Sequence, residues 1–259
     1  MKKIILLVVA LVSIVSTATA WSARQDEAAV ILATKHLNPK ALSLVHSYLG
    51  DRYDDDVAVL YKLEKEALSP YSKSAHKLYF NADLTPKNIE EDNALKALEQ
   101  TIALLKEHDK YSRSEVQLAL RTLINLMCDI HNFANVSIDG VPHSYSDFKF
   151  EIVGGRKGPA KAKWSTFFVS YANFHKGYSA AYWADDFEIY YGSKGAELAA
   201  GTLHDWVAQI GAKAAELYAK NYPGREMPLR ERLECESLGY EMVARTGYRL
   251  AALLNEILK

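Results

Sequence analysis

Cysteine is scarce in this chain: Cys128 and Cys235 are the only two in 259 residues. In an oxidising compartment they could pair, but both fall in strongly helical patterns, and two buried free thiols fit the sequence equally well. Blocks of like charge are missing too. Lys and Arg total 31 against 32 Asp and Glu, with no basic stripe, so a general electrostatic grip on nucleic acid is not expected. Beyond the N-terminus no apolar run is long enough to cross a bilayer. Internal repeats, low-complexity tracts and an inter-domain linker are also lacking.

The first twenty residues have three parts: a basic start at Lys2-Lys3, an apolar stretch over 4–15 broken only by Ser13, and a small-x-small site at Ala18-Thr19-Ala20. That order predicts a secretory signal peptide over 1–20. The apolar run is short for a hydrocarbon core of ~30 Å, and no cysteine follows it to carry a lipid. The expected product begins at Trp21, is periplasmic or secreted, and has no membrane span. Losing Lys2 and Lys3 moves its formal charge from −1 to −3. Residues 21–259 are enough for one domain with a substantial core.

Periodicity predicts a mainly α chain. A helix is expected over 24–36, restarting at Asn38-Pro39 with Asn as cap and Pro at the first helical position. Others are expected over 53–67, 88–107 and 112–133. The last of these carries Val116, Leu120, Leu123, Ile124 and Met127 on one face, and a capping box from Ser112 to Glu115. Residues 77–82 read as short, aromatic and irregular. Residues 136–179 hold Asp139-Gly140, Gly154-Gly155 and Gly158-Pro159 around Phe148, Phe150 and Ile152, which predicts turns with a short β-hairpin. Helix resumes near Tyr182, continues over 194–218, and stops at Tyr222-Pro223-Gly224. A long last helix over 228–258 carries Leu233, Ser237, Tyr240, Val243, Gly247, Leu250, Leu254 and Ile257. Tyr145, Phe148, Tyr171, Phe174, Tyr178, Tyr182, Tyr190 and Tyr191 gather in and around the irregular segment. They read as core under a long loop, with a platform for bases or sugars as the alternative.

Several runs line up in order. Trp21 opens the expected product. Lys35-His36-Leu37-Asn38-Pro39-Lys40-Ala41, Tyr53-Asp54-Asp55-Asp56-Val57 and Ser74-Ala75-His76-Lys77-Leu78-Tyr79-Phe80-Asn81 follow. Next comes 120–131, containing Asn125, Asp129 and His131, and the chain closes with Gly247-Tyr248-Arg249-Leu250 and its continuation to Asn255. Together these resemble the S-one/P-one family of zinc-dependent single-strand nucleases, which share a helical fold with bacterial phospholipase C. The resemblance spans nearly all of 21–259 except the Gly-rich stretch near 140–175. It implies a multi-helix phospholipase C/nuclease-like domain and a cluster of three zinc ions. The free amine and backbone oxygen of Trp21 would be among the ligands, and the metals would act as Lewis acids that activate water.

Position by position, the implied ligand set is depleted. Where the family has Trp-Gly-x-x-Gly-His, this chain has Trp21 and then Asp26 in place of His. Asp55 matches the carboxylate of the family's Trp-Ala-Asp and would be the catalytic candidate of an active site. The family's Trp-His-Tyr falls on Lys77-Leu78-Tyr79, placing Leu78 at a ligand histidine. In the central helix Asp129 is kept, while Asn125 and Asn135 replace the outer histidines, and His131 matches a residue that is not usually a direct ligand. For the last pair, matching Trp183 to the family's Trp puts Ala180 and Ala184 at ligand positions. The other register matches His175 and puts Ser179 at the Asp. Amide, alkyl and methyl groups are poor zinc ligands beside imidazole and carboxylate.

Trp21, Asp26, Asp55 and Asp129 therefore remain as residual metal candidates. The eight histidines supply no replacement set, and no cofactor is expected. The reading is an exported pseudoenzyme that has lost the trinuclear site and serves as a scaffold for a ligand or protein partner. The alternative is an active nuclease or phosphoesterase on a carboxylate-rich site. There Asp26, Asp54, Asp55, Asp56 and Asp129 would hold Mg²⁺, Mn²⁺, Ca²⁺ or zinc, with single-stranded nucleic acid as substrate. Asp54-Asp55-Asp56 also suits a solvated helix start, where negative charge meets the positive end of the helix dipole.

Overall fold

A computed structural model describes residues 21–51, 76–87, 93–165, 167 and 178–259. The expected signal peptide, the helix over 53–67, Asp55 and its two acidic neighbours, Tyr171, Phe174 and His175 lie outside the described residues. The chain is mainly helical. Helix α1 runs Ala23–Lys35, α2 Pro39–Leu49, α3 Ala94–Lys106 and α4 Arg113–Ile130. Then come α5 Ala180–Tyr191, α6 Gly195–Ala199, α7 Leu203–Lys220 and α8 Leu229–Ile257. No helix of the described residues is long and apolar enough to cross a membrane.

Local chemistry sets these boundaries. The Asn38 side chain accepts from Ala41 N at 2.9 Å, and Pro39 occupies the first turn of α2, where its missing N–H is not needed. Ser112 and Glu115 form the reciprocal capping box that opens α4. The five apolar residues expected on its inner face, from Val116 to Met127, are all buried. Helix α3 begins at Ala94, capped by Asn93, later than the expected 88, and residues 88–92 are not described.

Two expectations need correction. The single helix over 194–218 is two helices, α6 and α7, broken at Ala200-Gly201-Thr202. Gly201 sits at φ +99°, outside the helical range, and Thr202 with Asp205 caps the restart. The irregular run over 77–82 contains a strand, β1 (Leu78–Phe80), parallel to β2 (Val136–Ile138), with Leu78 opposite Val136. The partner strand is 58 residues away in sequence, so no local pattern reveals the pairing.

The expected hairpin is present. Strands β3 (Lys149–Val153) and β4 (Ala160–Lys163) are antiparallel, joined through Gly154 and Gly158, both at positive φ. A third strand, β5 (Glu226–Pro228), adds to β3 in parallel, just after the Pro-Gly stop that ends α7. The inward face of β3, Phe150 and Ile152, packs under Trp164, whose ring lies 5.3 Å from Phe148 and 6.0 Å from Phe167, both near parallel.

Helix α1 is the centre of the helical layer, packed against α8 and α5. Its 28–33 stretch is almost wholly buried. Close approach is bought with small residues. A Cβ at Gly247 of α8 would lie 2.9 Å from the backbone oxygen of Ala29, and one at Gly211 of α7 would lie 2.5 Å from the Phe80 ring. On α8 the expected apolar stripe holds from Val243 onward, but Leu233 is 47% exposed and Ser237 is exposed. Cys128 and Cys235 are buried and are not joined in a disulfide.

Candidate functional site

The C-terminal end of α4 is where three distant segments meet. Asp129 is 1% exposed. Its carboxylate meets the Nδ1 of His76, a side chain 20% exposed at the start of the β1 segment. Its backbone carbonyl accepts from the Asn135 amide at 3.0 Å. One residue earlier, the carbonyl of Cys128 accepts from the Trp21 indole at 3.0 Å. The local sequence makes this possible: α4 stops at Ile130, the Asn132 side chain turns the chain by accepting from Ala134 N, and a one-turn helix at Phe133–Asn135 feeds β2. The β1–β2 pairing then carries the segment around His76 to the helix end.

Around this junction sit a cation and two phenols. Lys77 Nζ lies 3.5 Å from the centre of the Tyr145 ring. Burial holds the Lys77 ammonium below its usual pKa. Burial also raises that of the Tyr145 phenol, with further increments from Tyr79 and from the Asp129 charge. Tyr145 takes positive φ, +53°, an uncommon conformation for a bulky residue. An imidazole, an ammonium and a phenol thus gather near the end of α4.

The residues implied as metal ligands are placed as follows. Leu78 is buried in β1 with its backbone committed to β2. Asn135 is buried, and its amide is spent on the Asp129 carbonyl. Asn125 is half-buried one turn before Asp129 on the same helical face. Ala180 and Ala184 are buried on α5, the helix that packs against α1. In the other register, Ser179 is the N-cap of α5, accepting from Tyr182 N at 3.2 Å. Asp26 is half-buried in the first turn of α1, with one carboxylate oxygen shielded from solvent. Among the described residues, no group of three or more His, Cys, Asp and Glu is placed to hold a metal ion. At five of the positions the resemblance implies, Leu78, Asn125, Asn135, Ala180 and Ala184, the side chains are amide, methyl or isobutyl, poor zinc ligands beside imidazole or carboxylate.

Two features were not singled out as sites from sequence. His76 lies two residues before the position aligned with a ligand and reaches Asp129 because the strand brings it there. Inside the core, Arg249 of α8 is 1% exposed and holds three groups: it donates to Leu198 O at 3.1 Å, to His131 Nε2 at 3.1 Å and to the Gln209 side-chain oxygen. Its guanidinium lies 5.4 Å from the Trp206 ring. Burial, then the neighbouring Arg245, lower the Arg249 pKa to about 9, against an opposing effect of Glu241. The Nδ1 of His131 donates to Met127 O at 2.7 Å, so Nε2 is the acceptor for Arg249 and the ring is neutral. Both residues stood in the aligned runs; what was not legible was that they touch.

The aromatic cluster divides. Phe148 is core, as expected, and Tyr145 is half-buried. Tyr178, Tyr182 and Tyr190 are 44%, 47% and 67% exposed, which overturns the core reading for these three. They line a cleft between α5 and the exposed start of α8. A comparison with protein-family models finds none that matches this chain, and a comparison with curated proteins finds none either.

Proposed function

We propose that this is an exported protein on an S-one/P-one nuclease-like helical scaffold that no longer assembles the zinc cluster and acts by binding rather than by hydrolysis. The observation that carries the reading is the state of Asp129, the carboxylate kept on the central helix. Its side chain faces His76 and its backbone is tied to Asn135. A histidine–carboxylate contact at a helix end, with an amide on the adjoining carbonyl and Trp21 beside it, is an arrangement that serves structure. Chemistry that would be supplied by metals has been replaced by hydrogen bonds. Burial of Leu78, Ala180 and Ala184 supports the same reading, because each fills volume that a ligand side chain would otherwise use to reach a metal.

The test is metal analysis of the chain expressed with its leader and purified without chelator, together with cleavage assays. The expected outcome is no stoichiometric zinc. No turnover of single-stranded DNA or bis-nitrophenyl phosphate is expected with added Zn²⁺, Mn²⁺ or Mg²⁺. Near three zinc ions per chain, or metal-dependent cleavage lost on Asp129→Asn, would overturn the reading.

A further inference from the structure

The cleft between α5 and α8 has a volume of about 530 Å³, within the range of small-ligand pockets. Its chemistry is unlike that of the α4 junction. One wall is aromatic: the rings of Tyr178 and Tyr182 stack 4.3 Å apart at 15°, and Tyr190 stands beside them on α5. Arg24 fixes the start of this wall by donating to Tyr178 O at 3.2 Å. The floor is rigid, since Tyr240 packs edge-on against the buried Phe187 with ring centres 4.6 Å apart and donates its hydroxyl to Asp186. The opposite wall carries Glu236. This residue is 5% exposed, with Oε1 in an ion pair with Arg232 at 2.8 Å. Its Oε2 is buried and meets no hydrogen-bond donor among the described residues. A buried carboxylate oxygen without a donor is destabilising, and here it belongs to a residue that lines a cleft.

We propose that this cleft is a saccharide-binding site. Exposed phenol faces suit the C–H faces of a pyranose, and the carboxylates of Glu236 and Asp186 at the cleft wall suit its hydroxyl donors. Among the described residues that line the cleft there are two carboxylates and no Lys or Arg, a lining better suited to hydroxyl donors than to a phosphate. A quaternary ammonium is also a poor match. It needs rings that box a single point, whereas Tyr178 and Tyr182 are stacked on each other. Both acids are already partly compensated, Glu236 by Arg232 and Asp186 by Tyr240. What they retain is lone-pair capacity more than net charge. The site is independent of the fate of the metal junction, so it stands whether or not the hydrolase activity is absent.

The experiment is a glycan array spanning neutral and N-acetylated oligosaccharides, followed by calorimetry with the strongest binder. Choline chloride and oligo-dT serve as competing probes. Saturable binding of at least one glycan is expected, weakened roughly tenfold by each of Tyr182→Ala, Tyr190→Ala and Glu236→Gln. Neither choline nor oligo-dT should compete. Tyr190 is exposed enough that its variant should keep the parent melting temperature, separating lost binding from lost folding. The proposal is overturned if no glycan binds, if the three variants bind as the parent does, or if choline or oligo-dT occupies the cleft in place of a glycan.

Discussion

The indole nitrogen of Trp21 donates to the carbonyl of Cys128, 3.0 Å away across 107 positions of sequence. Trp21 is 1% exposed and is among the largest fully buried side chains of the described residues. The first residue of the expected mature chain is thus a wedge against the end of α4, beside Asp129. Trp21→Ala should lower unfolding stability by about 3–5 kcal/mol, the usual cost of emptying a buried aromatic site. Trp21→Phe keeps most of the volume and loses the N–H, so it should cost clearly less, of which about 1 kcal/mol is the hydrogen bond. Urea denaturation of the two variants checks the order. Equal losses would mean that the ring's bulk has no role.

His131 should make the protein acid-sensitive. It is fully buried, and desolvation, then the Arg249 charge, hold its pKa well below 6.5. The unfolded chain binds a proton near pH 6.5 and the folded chain does not. Stability from this residue is therefore fully present above pH 6.5 and falls as pH drops below it, by at most about 1.4 kcal/mol per pH unit. His131→Gln can keep one donor and one acceptor without titrating, so its stability should vary less between pH 6.5 and 5. Denaturant midpoints at stepped pH measure this; an unchanged slope would locate the sensitivity elsewhere.

Arg249→Met removes the cation that ties His131, Leu198 and Gln209 together. Three acceptors lose their donor, and the two in buried residues, His131 Nε2 and Leu198 O, cost about 1–3 kcal/mol each. The melting temperature should drop, and the pH dependence from His131 should weaken with it, because a positive neighbour no longer opposes protonation.

Gly247→Ala should destabilise although alanine is the better helix former. The added methyl meets Leu32 side-chain atoms at 2.8 and 2.9 Å and Ala29 O at 2.9 Å. A side chain can shift; the α1 backbone carbonyl cannot without moving the helix. Overpacking of this kind costs about 1–3 kcal/mol, against a propensity gain of up to about 1 kcal/mol. Thermal unfolding should show a net loss.

Both thiols should be free. Alkylation in denaturant without reductant should add two labels per chain, and alkylation of the folded protein should add few. Burial shields both, and desolvation raises the Cys235 thiol to about 11, leaving little thiolate at neutral pH.

The sequence by itself determined the helical architecture where the signal is local. Asn38-Pro39, the Ser112 to Glu115 box and the Val116–Met127 face each specify a boundary or a buried side within a few residues. The glycine pairs near 155 marked the hairpin in the same way. The tertiary structure decided everything that joins distant segments. Leu78 pairs with Val136 across 58 residues, His76 thereby meets Asp129, Arg249 reaches His131 across 118, and β5 adds to β3 only after α7 has run its course. It also decided which aromatics are exposed. Tyr182 and Tyr190 fall on the outer side of α5 while Trp183 and Phe187 face inward. A helix has one side toward its neighbours, and composition cannot tell which of its rings that side will bury.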